Sequence, residues 1–281
     1  MRLASYHVAG RPSYGIITDA GAIDLPSRLG TDCPTLRAAI ATGALPRIHA
    51  VATAAPDVAL TDLVYDLPLP DSGKIICIGR NYRGHVAEGN SKLPEQPSVF
   101  IRTLESFVPQ DGALVRPRVS THFDYEGELA LVIGTKGRHI APADALSHIF
   151  GYTCLNEGSI RDYQFTHSLT VGKNFHHSGS IGPWIVPAED VGDPTKLTLR
   201  TRLNGAEVQH THTDDLIFDI PAIIAYLSVL LPLNPGDIIS TGTPEGVGFA
   251  RKPPLWMKAG DTVEVEISGI GTLRNGVVDE D

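Results

Sequence analysis

The chain has 281 residues, of which 42% are hydrophobic and 20% are charged, so a packed core can form without disulfides. Its net charge of −9 offers no basic field for nucleic acid or an anionic membrane surface, although a metal ion or local cations can still bind an anionic substrate. Three cysteines without a C-x-x-C spacing, and an N-terminus without a hydrophobic signal core, predict a cytoplasmic protein that lacks disulfides.

Residues 1–68 differ from the rest and are predicted to form a small accessory domain. No cluster of chemically reactive side chains occurs among them. Proline and glycine in the following segment, 66–73, break regular structure and indicate a linker to the larger unit, 69–281. The predicted elements of the small domain are the strands Arg2–Val8, Ser13–Thr18 and Gly21–Asp24, a helical stretch over Thr35–Thr42, and a helical or loop stretch over Leu45–Ala54.

β signals dominate the larger unit. Asn204-Gly205 follows one predicted strand and is a strong hairpin signal. The run 220–233 is the longest apolar one and is too short to span a bilayer. Many strands with few helices predict a β-rich α+β fold. The predicted strands are Lys74–Gly79, Ser98–Arg102, Glu128–Gly134, Leu197–Leu203, Asp237–Ser240 and Thr262–Ile267, and the predicted helices are Arg83–Glu88, one from Ala141 onward, and Asp219–Leu231.

The strongest chemical signal is the acidic start of an apolar strand. Side chains alternate along a strand, so Glu126 and Glu128 point to one face, where Asp124 would join them. Carboxylates beside an apolar strand repel one another and are costly to desolvate, and a hard cation such as Mg²⁺, Mn²⁺ or Ca²⁺ relieves both problems. The alternative is a solvated acidic strand end.

Two further patterns lie on predicted helices. Glu157, Arg161 and Gln164 are spaced four and three residues apart, so they share one helical face; the alternative is an ordinary Glu–Arg pair. His85 and Glu88 are three residues apart, a spacing that lets the glutamate orient a general-base histidine; the alternative is a surface pair.

Two glycine-rich segments are weaker signals. Lys173 follows Gly172 in what we predict to be a short strand, where its ammonium could meet a carboxylate or enolate or simply be solvated. Residues 240–248 read as a strand ending in a Gly-rich turn suited to a carboxylate, or as a plain turn. The histidine pairs 176–177 and 210–212 lack partners at zinc-site spacing and are taken as loop residues.

In chain order, these motifs resemble the fumarylacetoacetate hydrolase superfamily from about Lys74 to the C-terminus. They read GRNYxxHxxE, FDYEGELALVIG, GYTCxNExSxRDxQ, GKNF with a following GP, NG…Q and STGTPEGVG. The similarity is to bacterial acylpyruvate hydrolase-like and 2-hydroxyhepta-2,4-diene-1,7-dioate isomerase-like members. It implies a mixed β-sandwich roll, a homodimer and a Mg²⁺ or Mn²⁺ site. The implied metal ligands are Glu126, Glu128 and Glu157; the implied catalytic residues are His85, Glu88 and Lys173; and the implied substrate contacts are Arg161, Gln164, Thr243, Arg102 and Tyr82.

Two positions depart from the family pattern. Glu157 stands where the family most often has Asp, so this carboxylate reaches one methylene further and metal preference is open. Arg102 stands where many acylpyruvate-cleaving members have Lys, which replaces a point charge by a planar fork.

The resemblance implies an enzyme that cleaves a C–C bond in a small 2,4-dioxo acid of acylpyruvate type. His85, oriented by Glu88, would activate water, and Lys173 would help to stabilise the pyruvate enolate that leaves. Isomerisation or decarboxylation in aromatic catabolism passes through a similar enolate and stays an alternative. A non-catalytic metal-binding or small-molecule-binding protein is a second alternative, which the His–Glu pair and Lys173 disfavour.

Overall fold

The computed structural model describes residues 1–281, which form eighteen strands and eight short helices. The strands are β1 (Leu3–Val8), β2 (Arg11–Thr18), β3 (Gly21–Asp24), β4 (Leu63–Tyr65), β5 (Ile75–Gly79), β6 (Ser98–Arg102), β7 (Phe107–Val108), β8 (Leu114–Arg116), β9 (Phe123–Asp124), β10 (Gly127–Ile133), β11 (Ile149–Asn156), β12 (Ser159–Ile160), β13 (Gly179–Pro187), β14 (Thr198–Leu203), β15 (Ala206–His212), β16 (Ile238–Ser240), β17 (Thr262–Ile267) and β18 (Gly271–Asp279). The helices are α1 (Pro26–Leu29), α2 (Leu36–Ala41), α3 (Leu45–Val51), α4 (Arg83–Glu88), α5 (Arg161–Thr166), α6 (Leu169–Lys173), α7 (Ala188–Val191) and α8 (Ile220–Leu230).

Two mixed sheets form the body of the protein. The larger runs β3-β2-β1-β13-β11-β10-β16-β5-β6, with β4 beside β1 and β7 beside β13. The smaller runs β15-β14-β17-β18-β8. Leu131 and Tyr152 of the larger sheet share one buried apolar cluster with Leu199 and Val265 of the smaller one. The sheets therefore pack face to face, and the predicted β-rich α+β sandwich is confirmed.

The N-terminal segment is an extension of the larger sheet. β1 pairs with β13 at Leu3↔Ile185, and Leu3 shares a buried cluster of 25 residues with Ile75. The predicted linker has no helix or strand in 66–73, and Ser5 Oγ donates a hydrogen bond to its Pro68 carbonyl at 2.9 Å. The division at residue 68 into an accessory and a catalytic unit stays a prediction.

Most predicted elements lie within two residues of their expected bounds. Asn204 and Gly205 have φ of 53° and 79°, which join β14 to β15 by the tight turn their sequence predicts. Asp219 caps α8 by accepting from the Ala222 amide at 2.8 Å. None of the helices is long and apolar enough to cross a membrane, and all three cysteines are free and buried.

Two predicted elements are corrected. The helix expected from Ala141 is a 3₁₀ helix, Pro142–His148. Lys173 is the last residue of helix α6 and does not lie on a strand. Ser168 caps this helix by accepting a hydrogen bond from the Val171 amide at 3.2 Å. Gly172 packs tightly on Gln164, and a Cβ added to Gly172 would lie 2.5 Å from the Gln164 Cβ. These contacts explain why a helix forms despite the glycine.

Candidate metal centre and active site

Three glutamates meet at the centre of the larger sheet. Glu126 and Glu128 flank the first residue of β10, so strand alternation turns both to one side. Glu157 follows the neighbouring strand β11, and its amide donates to the Glu126 carbonyl at 2.7 Å. One carboxylate oxygen from each lies within 4.8 Å of the others, and none of the three residues is more than 4% exposed.

Asp124 does not join this cluster, contrary to the sequence prediction. Its Oδ2 accepts from Arg161 Nε at 2.7 Å, and its Oδ1 accepts from the Gly248 amide at 2.7 Å. Burial raises the pKa of the Asp124 carboxyl, and the Arg161 guanidinium opposes that shift. Asp124 thus anchors Arg161 and the Gly-rich segment.

Two buried cations neutralise Glu126. Lys173 Nζ lies 2.6 Å from Glu126 Oε2 and 3.1 Å from Glu157 Oε2, and Arg161 Nη2 lies 2.6 Å from Glu126 Oε1. Burial alone would raise the pKa of Glu126, but the charges of Lys173 and Arg161 outweigh it and lower that pKa to about 2.

Glu128 has no cation in contact. Its Oε2 accepts hydrogen bonds from Ser240 Oγ and, at 2.8 Å, from the Gly242 amide. Burial, together with the charges of Glu157 and Glu126, raises its pKa well above the usual value. A cation bound among the three carboxylates would oppose this shift.

The residues present fit a divalent cation. Glu157 Oε1 is buried and has no hydrogen-bond partner, which is costly for a carboxylate oxygen unless a cation or donor meets it. Burial, with Glu157 and Glu128 nearby, raises the pKa of the Cys77 thiol, so Cys77 stays neutral and the donor set consists of oxygen alone. Hard cations such as Mg²⁺ and Mn²⁺ prefer such donors.

His85 and Glu88 form the predicted pair on α4. His85 Nδ1 lies 2.8 Å from Glu88 Oε1, and Glu88 Oε2 accepts from the Gly246 amide at 2.8 Å. Because the carboxylate engages Nδ1, the imidazole presents its Nε2 lone pair elsewhere. The Gly246 contact in turn fixes the carboxylate that orients the ring.

A cavity of about 370 Å³ brings these groups together. This is large enough for a small acid and too small for a polymer. Thr243 also lines it, but the Thr243 hydroxyl already donates to the Gly127 carbonyl at 3.0 Å and accepts from Gln209 at 2.9 Å. The predicted site residues in the wall are His85, Glu126, Glu128, Glu157, Arg161, Gln164, Lys173 and Thr243.

Two predicted substrate contacts, Arg102 and Tyr82, do not line the cavity. Arg102 is buried on β6, donates to the Gly158 carbonyl at 3.2 Å and to Ser178 Oγ at 3.0 Å, and lies over the ring of Phe107. It supports the turn after Glu157. Tyr82 is fully buried, and its hydroxyl has no hydrogen-bond partner. The burial of both side chains depends on tertiary packing that their motifs do not encode.

Two residues at the site stand in recognised motifs, but the sequence predicts no role for either of them. Arg80, directly after β5, lines the cavity with a backbone φ of 56° and forms no ion pair. Its signal is the GRNY motif, which predicts no role for this arginine. Gln209 on β15 is buried at 2% exposure against the Gly-rich segment. Its signal is the NG…Q pattern of the family series, which predicts no role for this side chain.

The fold and the site together describe an α+β protein with a buried cluster of carboxylates and a histidine oriented by a glutamate. The family model for the C-terminal part of fumarylacetoacetate hydrolase matches residues 74–278. The chain belongs to the fumarylacetoacetate hydrolase superfamily.

Named relatives differ in activity. The oxaloacetate tautomerase fahd2, mitochondrial, of Xenopus laevis is 41% identical over 214 residues, 75% of this chain and 67% of that one. A maleylpyruvate hydrolase from Sphingobium, solved with manganese(II) and pyruvate, covers all of both chains at 28% identity and a TM-score of 0.84. A 2-hydroxyhepta-2,4-diene-1,7-dioate isomerase from Mycobacterium marinum covers 100% of this chain and 99% of that one at 31% identity and a TM-score of 0.78.

Proposed function

We propose that the protein is an enzyme that holds Mg²⁺ or Mn²⁺ with Glu126, Glu128 and Glu157 and acts on a small 2-oxo acid. The observation that carries this proposal is the trio of buried carboxylates with one unpartnered oxygen on Glu157. A bound divalent ion supplies Lewis acidity, which lowers the cost of negative charge on the 2-oxo group. The manganese and pyruvate in the related hydrolase structure support the choice of ion and of substrate class.

The reaction best supported is proton transfer that interconverts the keto and enol forms of a 2-oxo dicarboxylic acid. His85 Nε2, freed by the contact of Nδ1 with Glu88, takes a proton from substrate carbon C3. A proton returned to the C2 oxygen completes the enol, so no other reactant is consumed. The 41% identity to an oxaloacetate tautomerase supports this choice over other reactions of an enolate.

Charge in the cavity supports a dicarboxylate. Lys173 and Arg161 form ion pairs with glutamates, whereas Arg80 lines the same cavity without an ion pair. An arginine fork matches a carboxylate. We therefore assign the second carboxylate of the substrate to Arg80, and Arg80→Met is expected to raise KM more than it lowers kcat.

The second candidate is hydrolytic C–C cleavage of an acylpyruvate. The structural match to a maleylpyruvate hydrolase favours it. His85 would then take its proton from water, the hydroxide would attack the acyl carbonyl, and the bond would break to a carboxylic acid and the enolate of pyruvate. Lys173 lines the same cavity, where its ammonium would help to stabilise the enolate.

One panel of substrates separates these reactions. The EDTA-treated protein is reloaded with Mg²⁺ or Mn²⁺ and offered enol-oxaloacetate, acylpyruvates and 2-hydroxy-dienoates, with enol absorbance, pyruvate and CO₂ as the measured quantities. We expect enol absorbance to fall faster than it does with metal alone, with no release of CO₂ or pyruvate. Pyruvate from acylpyruvates would favour the second candidate, and CO₂ would indicate a decarboxylase. Turnover of none of them would refute the proposal.

A separate test addresses the ion. Glu126→Ala is expected to abolish Mn²⁺ binding in calorimetry, because it removes one ligand and leaves Lys173 and Arg161 each with one carboxylate partner fewer beside the site. Unchanged affinity would remove Glu126 from the ligand set.

Location and assembly are also proposals. We propose a cytoplasmic homodimer without nucleic-acid or membrane partners, on the basis of the net charge of −9 and family likeness. Light scattering after size exclusion measures the assembly, and a monomer would contradict it. The name of the Xenopus laevis relative places that protein in mitochondria.

A further inference from the structure

Gln209 occupies an unusual position for a hairpin side chain. It lies on β15 opposite Thr201, directly after a register shift in the β14–β15 pairing. Such a bulge re-aims side chains, and Gln209 is buried at 2% exposure, whereas the next residue, His210, is exposed. The side-chain amide of Gln209, on the smaller sheet, therefore points toward the acidic centre of the larger sheet.

The amide of Gln209 joins two parts of that centre. Its Oε1 accepts from the Gly127 amide at 2.9 Å, and Gly127 separates Glu126 from Glu128. Its Nε2 donates to Thr243 Oγ1 at 2.9 Å and to the Pro244 carbonyl at 3.0 Å. The strand that carries two carboxylates and the Gly-rich segment are therefore tied to one side chain.

The tied segment reaches the catalytic groups at both of its ends. On one side of Thr243, the Gly242 amide donates to Glu128 at 2.8 Å. On the other side, the Gly246 amide donates to Glu88 at 2.8 Å, and Glu88 orients His85. A displacement of the 242–246 segment would thus move a metal ligand and the general base together.

We propose that Gln209 is a positioning residue that sets the spacing between the Glu126–Glu128 carboxylates and the His85–Glu88 pair. The inference rests on the proposed metal site and deepens it. Gln209 does not line the cavity, so it acts through Gly127 and Thr243 and not by touching substrate. Partners behind metal ligands typically change metal affinity about 10- to 100-fold when removed.

Thr201 offers a matched control. It faces Gln209 across the strand pair, and it packs so closely on Gly127 that a Cβ there would lie 2.1 Å from Thr201 Oγ1. The Thr201 hydroxyl is buried without a hydrogen-bond partner. Thr201→Val therefore changes a neighbouring side chain without breaking a hydrogen bond. Gln209→Leu keeps the approximate volume and removes all three hydrogen bonds of the amide.

The experiment measures Mn²⁺ affinity by calorimetry and amide hydrogen exchange in metal-free protein for wild type, Gln209→Leu and Thr201→Val. We expect Gln209→Leu to weaken Mn²⁺ binding at least about 10-fold. Exchange should rise in peptides that cover 124–128 and 241–247 and stay unchanged in the β1–β2 hairpin. Thr201→Val should match wild type in both measurements. A merely structural role would lower the free energy of unfolding without changing the Mn²⁺ dissociation constant of the folded protein.

Two results separate this inference from the proposed function. Wild type that does not bind Mn²⁺ refutes the metal site, and the exchange data on metal-free protein still decide whether Gln209 holds the two segments. Wild type and Gln209→Leu that bind Mn²⁺ equally well, with equal exchange in both peptides, overturn the inference while the metal site stands.

Discussion

Replacement of Lys173 by methionine should destabilise the protein in a way that depends on metal. Lys173 Nζ contacts Glu126 at 2.6 Å and Glu157 at 3.1 Å, and all three residues are buried. Removal of one partner of a buried ion pair costs about 3–5 kcal/mol, because the remaining charge is left uncompensated. Arg161 still contacts Glu126 in the variant, so we expect the free energy of unfolding in EDTA to fall by about 3 kcal/mol, near the lower end of this range.

A divalent cation should remove part of this loss. It supplies positive charge to the same carboxylates, so Lys173→Met should bind Mn²⁺ more tightly than wild type does. Ligand present at 100 times its dissociation constant stabilises a protein by about 2.7 kcal/mol, and a tenfold gain in affinity adds about 1.4 kcal/mol. At the same Mn²⁺ concentration, the variant should therefore recover about 1–2 kcal/mol relative to wild type.

Urea unfolding in EDTA and in saturating Mn²⁺ measures both quantities. The matched control is Lys74→Met, because Lys74 Nζ contacts the fully buried Asp237 at 2.6 Å on a different part of the sheet. Its loss of stability should be the same in EDTA and in Mn²⁺. If Lys173→Met behaves like this control, with equal losses in both conditions, then Lys173 and the cation do not share the carboxylates and the reasoning is wrong.

Three further outcomes follow from the geometry. His85→Ala should lower kcat at least about 100-fold if its imidazole is the general base, and a near-wild-type kcat would refute that role. In metal-free protein, the pKa of Glu126 is lowered from a usual 4.5 to about 2, so its ionised form contributes stability above pH about 4.5 that disappears as pH falls toward 2. Glu126→Gln should flatten this part of a plot of unfolding free energy against pH. An unchanged plot would contradict the ion pairs. The three buried cysteines should not react with a thiol reagent until urea unfolds the protein, so labelling of the native protein would contradict their burial.

The strand patterns predicted much of the site, because alternation is a local property. Glu126 and Glu128 share a face in any strand that contains both, and the apolar run after them had to be buried. The i, i+3 spacing of His85 and Glu88 likewise predicted their contact once a helix was assumed. Convergence of Glu157 on the same point depends on the pairing of β10 with β11, and only the resemblance to a family supplied it at the sequence level.

The remaining errors concern side chains whose environment is set by distant residues. Asp124 fits the alternation with Glu126, yet it pairs with Arg161, 37 positions away. Arg102 lies on a correctly predicted strand, but whether its guanidinium faces substrate or the back of the site depends on Gly158 and Ser178. Strand periodicity predicts which face of the sheet a side chain lies on, but it does not predict which residue that side chain contacts.

The balance of charge explains why a metal suits this centre. Three buried carboxylates, Glu126, Glu128 and Glu157, converge there, but of these Lys173 and Arg161 contact only Glu126 and Glu157, so Glu128 has no cation in contact. A divalent cation bound among the three carboxylates would supply positive charge next to Glu128. The bound ion would also attract the carboxylate of a 2-oxo acid, so substrate affinity should depend on metal, and metal affinity should fall as pH decreases because carboxylate ligands bind a metal only when they are deprotonated.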